Sequence, residues 1–149
     1  MAEGLYNAAV VGDLAKVEEM VTLGVAVDAR CGEDRRTPLM AASQHGHNSV
    51  VVYLLRHEAD PNARDADGWT ALMEAACYSN VKVVVSLLQA GARVGEGNRQ
   101  GYTALHMAAS IDNLPTVTAL LTYGANPWAQ DGIKRFGHPA VAAIIKKSI

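Results

Sequence analysis

Three tetrapeptides, Thr37-Pro38-Leu39-Met40, Thr70-Ala71-Leu72-Met73 and Thr103-Ala104-Leu105-His106, recur at intervals of 33 residues. That period restricts the chain to a stack of like units, because one short unit cannot bury its own apolar face and must borrow its neighbour's. The repetition continues through a small-residue pair (Ala41-Ala42, Ala75-Ala76, Ala108-Ala109) and an apolar stretch (Val50 to Leu55, Val83 to Leu88, Val117 to Leu121). Next come Ala59-Asp60-Pro61-Asn62, Ala92-Arg93-Val94-Gly95 and Ala125-Asn126-Pro127-Trp128, with Gly68-Trp69 and Gly101-Tyr102 just ahead of the next threonine. One unit thus reads helix, helix, extended finger, turn. Upstream, Leu5 to Ala9, Gly12-Asp13 and Gly24 to Asp28 keep the same order without the threonine, and downstream His138 to Lys147 reads as one further short helix.

This pattern resembles the ankyrin repeat family, whose 33-residue unit carries a T-P-L-H-x-A signature. The likeness covers essentially the whole chain. It implies an all-α fold, a solenoid of stacked helix-turn-helix units with β-hairpin-like finger loops, curved as a right-handed stack. Residues 1–149 then form a single domain, with repeats at about 3–36, 37–69, 70–102 and 103–135 and a capping helix over about 136–149.

The residues justify the unit without the family. Thr37, Thr70 and Thr103 stand where a hydroxyl can accept from an unpaired backbone N–H at a helix start, each cap contributing about 1 kcal/mol. Pro38 follows in the first turn, where its missing N–H costs nothing, and Pro115 is tolerated for the same reason near the start of a later helix. Paired alanines keep the first helix thin, while Leu54, Leu55, Leu87, Leu88, Leu120 and Leu121 give the second helix its bulk. Gly24, Gly91 and Gly124 follow the second helix, where a left-handed backbone is expected. The second repeat has Glu58 there, so either the local turn differs or this junction is strained by about 1 kcal/mol. His106 occupies the histidine position of the signature and is expected to bond to Thr103; at Met40 and Met73 that polar link is expected to be replaced by packing.

Composition narrows the function. The chain is 50% hydrophobic and 19% charged, with a formal net charge of -2. Arg30, Arg35, Arg36, Arg64, Arg93, Arg99, Lys134 and Arg135 fall in fingers and loops, but Asp28, Glu33, Asp34, Asp60, Asp65, Asp67, Glu96 and Asp131 are interleaved with them. With a pI near 6.2, the basic footprint of a nucleic-acid binder is missing. No apolar run approaches the ~18 residues of a membrane span, and no leader opens the chain, so a cytoplasmic home is expected, with the nucleus as the alternative. Cys31 and Cys77 form no CxxC pair and read as free thiols.

Candidate chemistry is sparse. His45-Gly46-His47 could share a metal, yet no further ligand has the spacing to complete a tetrahedral set, and a turn between helices explains the pair better. Gly91, Gly95, Gly97 and Gly101 match neither phosphate-loop spacing and read as finger and turn glycines. Ser43, Ser79 and Ser110 have no His and Asp placed to converge on them, and Asp65, Asp67 and Asp131 recur like turn residues. No catalytic residue, metal site or cofactor is expected.

What remains are residues that differ between repeats where the scaffold does not require them. The family resemblance assigns protein recognition to the finger tips and the exposed side of the first helices. Those positions are Arg36, Gln44, His45, Asp67, Trp69, Cys77, Tyr78, Arg99, Gln100, Tyr102, Ser110, Ile111, Ile133 and Arg135. Trp69 and Tyr102 precede successive threonines, so the stack is expected to set them side by side near Tyr78 and Arg99, a combination typical of binding hot spots. The competing reading is that both rings merely cover the adjacent finger. Trp128, in the last finger, is expected to close the apolar end of the stack, and Lys146 and Lys147 suit the carbonyl end of the final helix. The sequence therefore predicts a non-enzymatic interaction scaffold or adaptor, monomeric alone, that holds a partner protein or peptide, with no nucleic acid and no membrane insertion. A regulatory or inhibitory subunit of an enzyme is the alternative; nucleic-acid or small-molecule binding ranks lower.

Overall fold

A computed structural model describes residues 1–126 of the chain. Eight helices follow one another in pairs: α1 (Ala2–Val11) and α2 (Leu14–Thr22), α3 (Pro38–Gln44) and α4 (Asn48–Arg56), α5 (Ala71–Cys77) and α6 (Val81–Gln89), α7 (Ala104–Ser110) and α8 (Leu114–Thr122). Among the described residues there is no β-strand; the first finger closes on an isolated antiparallel bridge between Cys31 and Arg36. This is the all-α solenoid the repeat period requires. The expected cap helix, with Trp128, Lys146 and Lys147, lies outside the described residues.

The threonine caps form as their spacing implies. The Thr37, Thr70 and Thr103 hydroxyls accept from the amides of Met40, Met73 and His106 at 3.3, 3.3 and 3.4 Å. In the fourth repeat His106 Nδ1 accepts from the Thr103 amide in return, at 2.9 Å. The second repeat departs from expectation: the Thr37 amide points at Met40 Sδ, 3.5 Å away, so a thioether sulfur takes the place of the imidazole nitrogen as a weak acceptor.

Inner helices α1, α3, α5 and α7 stack in one row, and outer helices α2, α4, α6 and α8 in a second. Ala41, Ala42, Ala75, Ala76, Ala108 and Ala109 are buried along the inner row, and their lack of bulk lets those helices pack more extensively than the outer ones. Val50, Leu54, Val84, Leu87, Val117 and Leu120 fill the space behind them. Thin in front and bulky behind, the stack becomes concave on its inner-helix and finger side.

Side chains staple successive units. The Asp28 carboxylate accepts from the Asp60 amide at 3.1 and 3.2 Å, and Asn62 Oδ1 from the Arg93 amide at 2.8 Å. Closer to the core, His47 Nε2 donates to the Val10 carbonyl at 2.9 Å, and Asn80 Nδ2 to the carbonyls of Ser43 and Gln44 at 2.8 and 2.9 Å. The third member of this ladder breaks the pattern. Asn113 Oδ1 accepts from Thr116 of its own helix, while Nδ2 is buried without a partner.

The turns explain the break. Gly12 and Gly46 have left-handed φ of 78 and 72°, and a Cβ on them would come within 2.5 and 2.6 Å of the His47 ring and Asn80 Oδ1. The equivalent residue of the third repeat is Ser79, at φ 62°, whose Cβ occupies the space that Asn113 would need. Glu58 likewise resolves its alternative. Its φ of 68° stands with 92° at Gly24, Gly91 and Gly124, so the turn is retained and a Cβ is forced into it.

Candidate partner-binding groove

The finger tips are built by one device used twice. Asp65 Oδ1 accepts from the amides of Asp67 and Trp69 at 2.9 and 2.8 Å; Asn98 Oδ1 accepts from those of Gln100 and Tyr102, both at 3.0 Å. Main-chain bonds then join tip to tip: the Asp34 carbonyl accepts from Ala66 at 2.8 Å and the Asp67 carbonyl from Arg99 at 3.0 Å. Tip residues that differ between units are thereby held in a row by the same backbone geometry repeated in successive fingers.

Among the described residues, three hollows between tips and inner helices share walls. The first is lined by Glu3, Tyr6, Asn7, Cys31, Gly32, Asp34 and Arg36. Asp34 and Arg36 pass into the second, with Gln44, Asp65, Asp67, Trp69, Glu74 and Tyr78. Asp67 and Trp69 pass into the third, with Asn98, Arg99 and Gln100. Shared residues make these one groove running across the first three units.

Charge in the middle hollow is organised around a buried pair. Arg36 Nη1 meets Glu74 Oε1 at 2.7 Å and Nη2 donates to Gln44 Oε1 at 2.9 Å, with Glu74 almost wholly buried. Burial pushes the Glu74 carboxyl above the usual range; Arg36 pulls the other way and Asp65 adds to the rise. The Cys77 thiol is raised by burial and then by Glu74, which leaves it a poor nucleophile.

The sequence-selected residues distribute as follows. Arg36, Gln44, Asp67, Trp69 and Tyr78 meet in the middle hollow, and Arg99 and Gln100 join Asp67 and Trp69 in the next. Tyr102 lines neither; its ring packs edge-on against His106 at 5.7 Å. His45, Tyr78 and Ile111 occupy the same place after successive inner helices, and all three are exposed. His45 and His47 rings lie 6.2 Å apart with His47 committed to Val10. Ser43 is fully buried, and the Ser110 hydroxyl donates to the Met107 carbonyl at 2.8 Å. Ile133 and Arg135 lie outside the described residues. Sequence reasoning missed Glu74, Asp34 and the wall role of Asp65. A signal existed for the first: Glu74 interrupts a position held by Ala41 and Met107 in the flanking units.

A family model described as ankyrin repeats (3 copies) matches residues 5–98 and 67–131. Palmitoyltransferase AKR1 of Lachancea kluyveri is 38% identical over 66 residues, 44% of this chain and 9% of that protein. Human palmitoyltransferase ZDHHC13 is 36% identical over 66 residues, 44% of this chain and 11% of that protein. Rat palmitoyltransferase ZDHHC17 is 36% identical over 64 residues, 43% of this chain and 10% of that protein. The chain thus covers only about a tenth of the length of these relatives. Among the described residues no helix is long and apolar enough to cross a membrane.

Proposed function

We propose, from the premise that this chain belongs to the ankyrin-repeat family, that it is a non-catalytic interaction scaffold holding a partner protein, or a peptide of one, in its concave groove. The observation that carries the reading is the continuity of the three hollows through Asp34, Arg36, Asp67 and Trp69. A regular scaffold needs no such individuality at its finger tips. The groove is held by hydrogen bonds between units, so little conformational entropy is lost on docking and a few anchors can supply most of the affinity. The matched spans in the relatives, 64 to 66 residues, equal about two of the 33-residue units, so no transferase chemistry is carried to this chain. The same reading places it in the cytoplasm or nucleus, monomeric when alone and without a cofactor.

Affinity purification from the source cell tests this. Trp69→Ala combined with Tyr78→Ala is the informative variant, because both side chains line the middle hollow, whereas Tyr102 also supports buried His106. Partner capture is expected to weaken by at least about tenfold with unchanged helical circular dichroism. Undiminished capture would place the binding face elsewhere.

A further inference from the structure

The middle hollow carries four carboxylates, Asp34, Asp65, Asp67 and Glu74, against one guanidinium, Arg36. Glu74 and Arg36 consume each other at 2.7 Å. Among the described residues the other ion pairs are Lys16 with Glu19 and Glu96 with Arg64 and Arg93, and none reaches Asp34, Asp65 or Asp67. Arg99 shares Asp67 and Trp69 with the adjoining hollow, yet Asp34, Asp65 and Asp67 outnumber that one guanidinium, so the balance around the Trp69 ring is negative. A second, independent feature adjoins it. Val11, Tyr78 and Ile111, at matching places where the inner helices end, are 70, 53 and 42% exposed, forming with His45 a row of exposed side chains that meets the middle hollow at Tyr78. Isolated exposed apolar residues need no explanation, but a row that meets an acidic trough specifies what fits.

We propose that the occupant of the groove is a cationic, partly apolar segment of a partner protein, which seats a lysine or arginine between Asp34, Asp65 and Asp67 against Trp69 and lays apolar side chains on that row. The inference rests on the concave-face reading and specifies its ligand. A cation gains there from three carboxylates and from the neighbouring indole of the partly buried Trp69 in one recess. An acidic segment would meet like charge along the same path.

Panning a random-peptide phage library on the chain tests the idea, with selected peptides then titrated by fluorescence against wild type, Asp34→Asn/Asp67→Asn and Trp69→Ala/Tyr78→Ala. The Asp34 and Asp67 bonds that join the finger tips are made by their backbone carbonyls, so the amide variant keeps the fold, and circular dichroism checks this. Expected are peptides rich in Lys or Arg that bind at least about tenfold more weakly to both variants and lose affinity as salt rises. Replacing the key peptide lysine by glutamine is expected to be costly on wild type and nearly silent on Asp34→Asn/Asp67→Asn. Neutral or acidic peptides that require Trp69 and Tyr78 but ignore Asp34→Asn/Asp67→Asn would overturn the cationic occupant while leaving the groove in place. Peptides indifferent to Trp69→Ala/Tyr78→Ala, or no enrichment at all, would overturn both readings.

Discussion

Ser79→Gly is expected to stabilise this protein, by two separable routes. A non-glycine residue at φ 62° carries about 1–2 kcal/mol of steric cost, offset by the ~0.5–1 kcal/mol that a more flexible unfolded glycine costs. The net gain from the backbone is about 0.5–1 kcal/mol. Removing the Cβ also opens the space through which Asn80 reaches the preceding unit in the repeat before. Asn113 Nδ2, buried without a partner, can then bond to the carbonyls ending α5. Satisfying it is worth about 1–3 kcal/mol, less about 1 kcal/mol for the cap that Asn113 would release at Thr116. The sum is close to 2 kcal/mol, a rise of roughly 4–8 °C in melting temperature for a domain of this size. Glu58→Gly supplies the control. Its φ is 68° and its amide bonds to Leu55 much as that of Gly91 does to Leu88, so it isolates the backbone gain of about 0.5–1 kcal/mol. Urea unfolding of both variants, each with and without Asn113→Ala, measures the terms. A Ser79→Gly gain no larger than that of Glu58→Gly, or one that survives Asn113→Ala intact, would refute the steric account of the missing link.

Three further outcomes are expected. Gly46→Ala, which drives a Cβ to 2.6 Å from Asn80 Oδ1 at φ 72°, should destabilise by about 2–4 kcal/mol in urea unfolding through strain and lost reach-back bonds. Thr70→Ala should cost about 1 kcal/mol by the same assay, through the cap on the Met73 amide. Glu74 has its folded pKa above the unfolded 4.5, burial being the leading cause, so the folded state binds the extra proton. Its contribution is full below pH 4.5 and is lost as pH rises through the folded value. Stability of wild type relative to Glu74→Gln should therefore fall with rising pH across that window, and a flat difference would remove the shift.

The architecture was legible because a 33-residue period with threonine caps and alanine pairs leaves one way to bury each unit. Glu58 was legible as a misfit for the same reason, since three glycines define its register. The groove was legible only where residues vary in register: Asp67, Trp69 and Arg99 could be placed on adjoining tips by counting. Glu74 could not, because its pairing with Arg36 appears only when α3 and α5 are stacked, and a lone carboxylate on an inner helix carries no local signal of its partner. Tyr102 has a contact that register alone does not give. It stands where Trp69 does one unit earlier, but its unit has His106 where the other has Met73, and the imidazole offers the ring an edge-on contact. The difference lies in a neighbour's chemistry.

Whether ligands enter between the finger tips and the inner helices is read out by chemical-shift mapping of an isotopically labelled chain titrated with a groove-selected peptide. The Trp69 indole N–H and the amides of Asp34, Asp67, Tyr78 and Arg99 are expected to move together, saturating at one affinity. Shifts confined to α4, α6 and α8, with these signals unmoved, would contradict entry there.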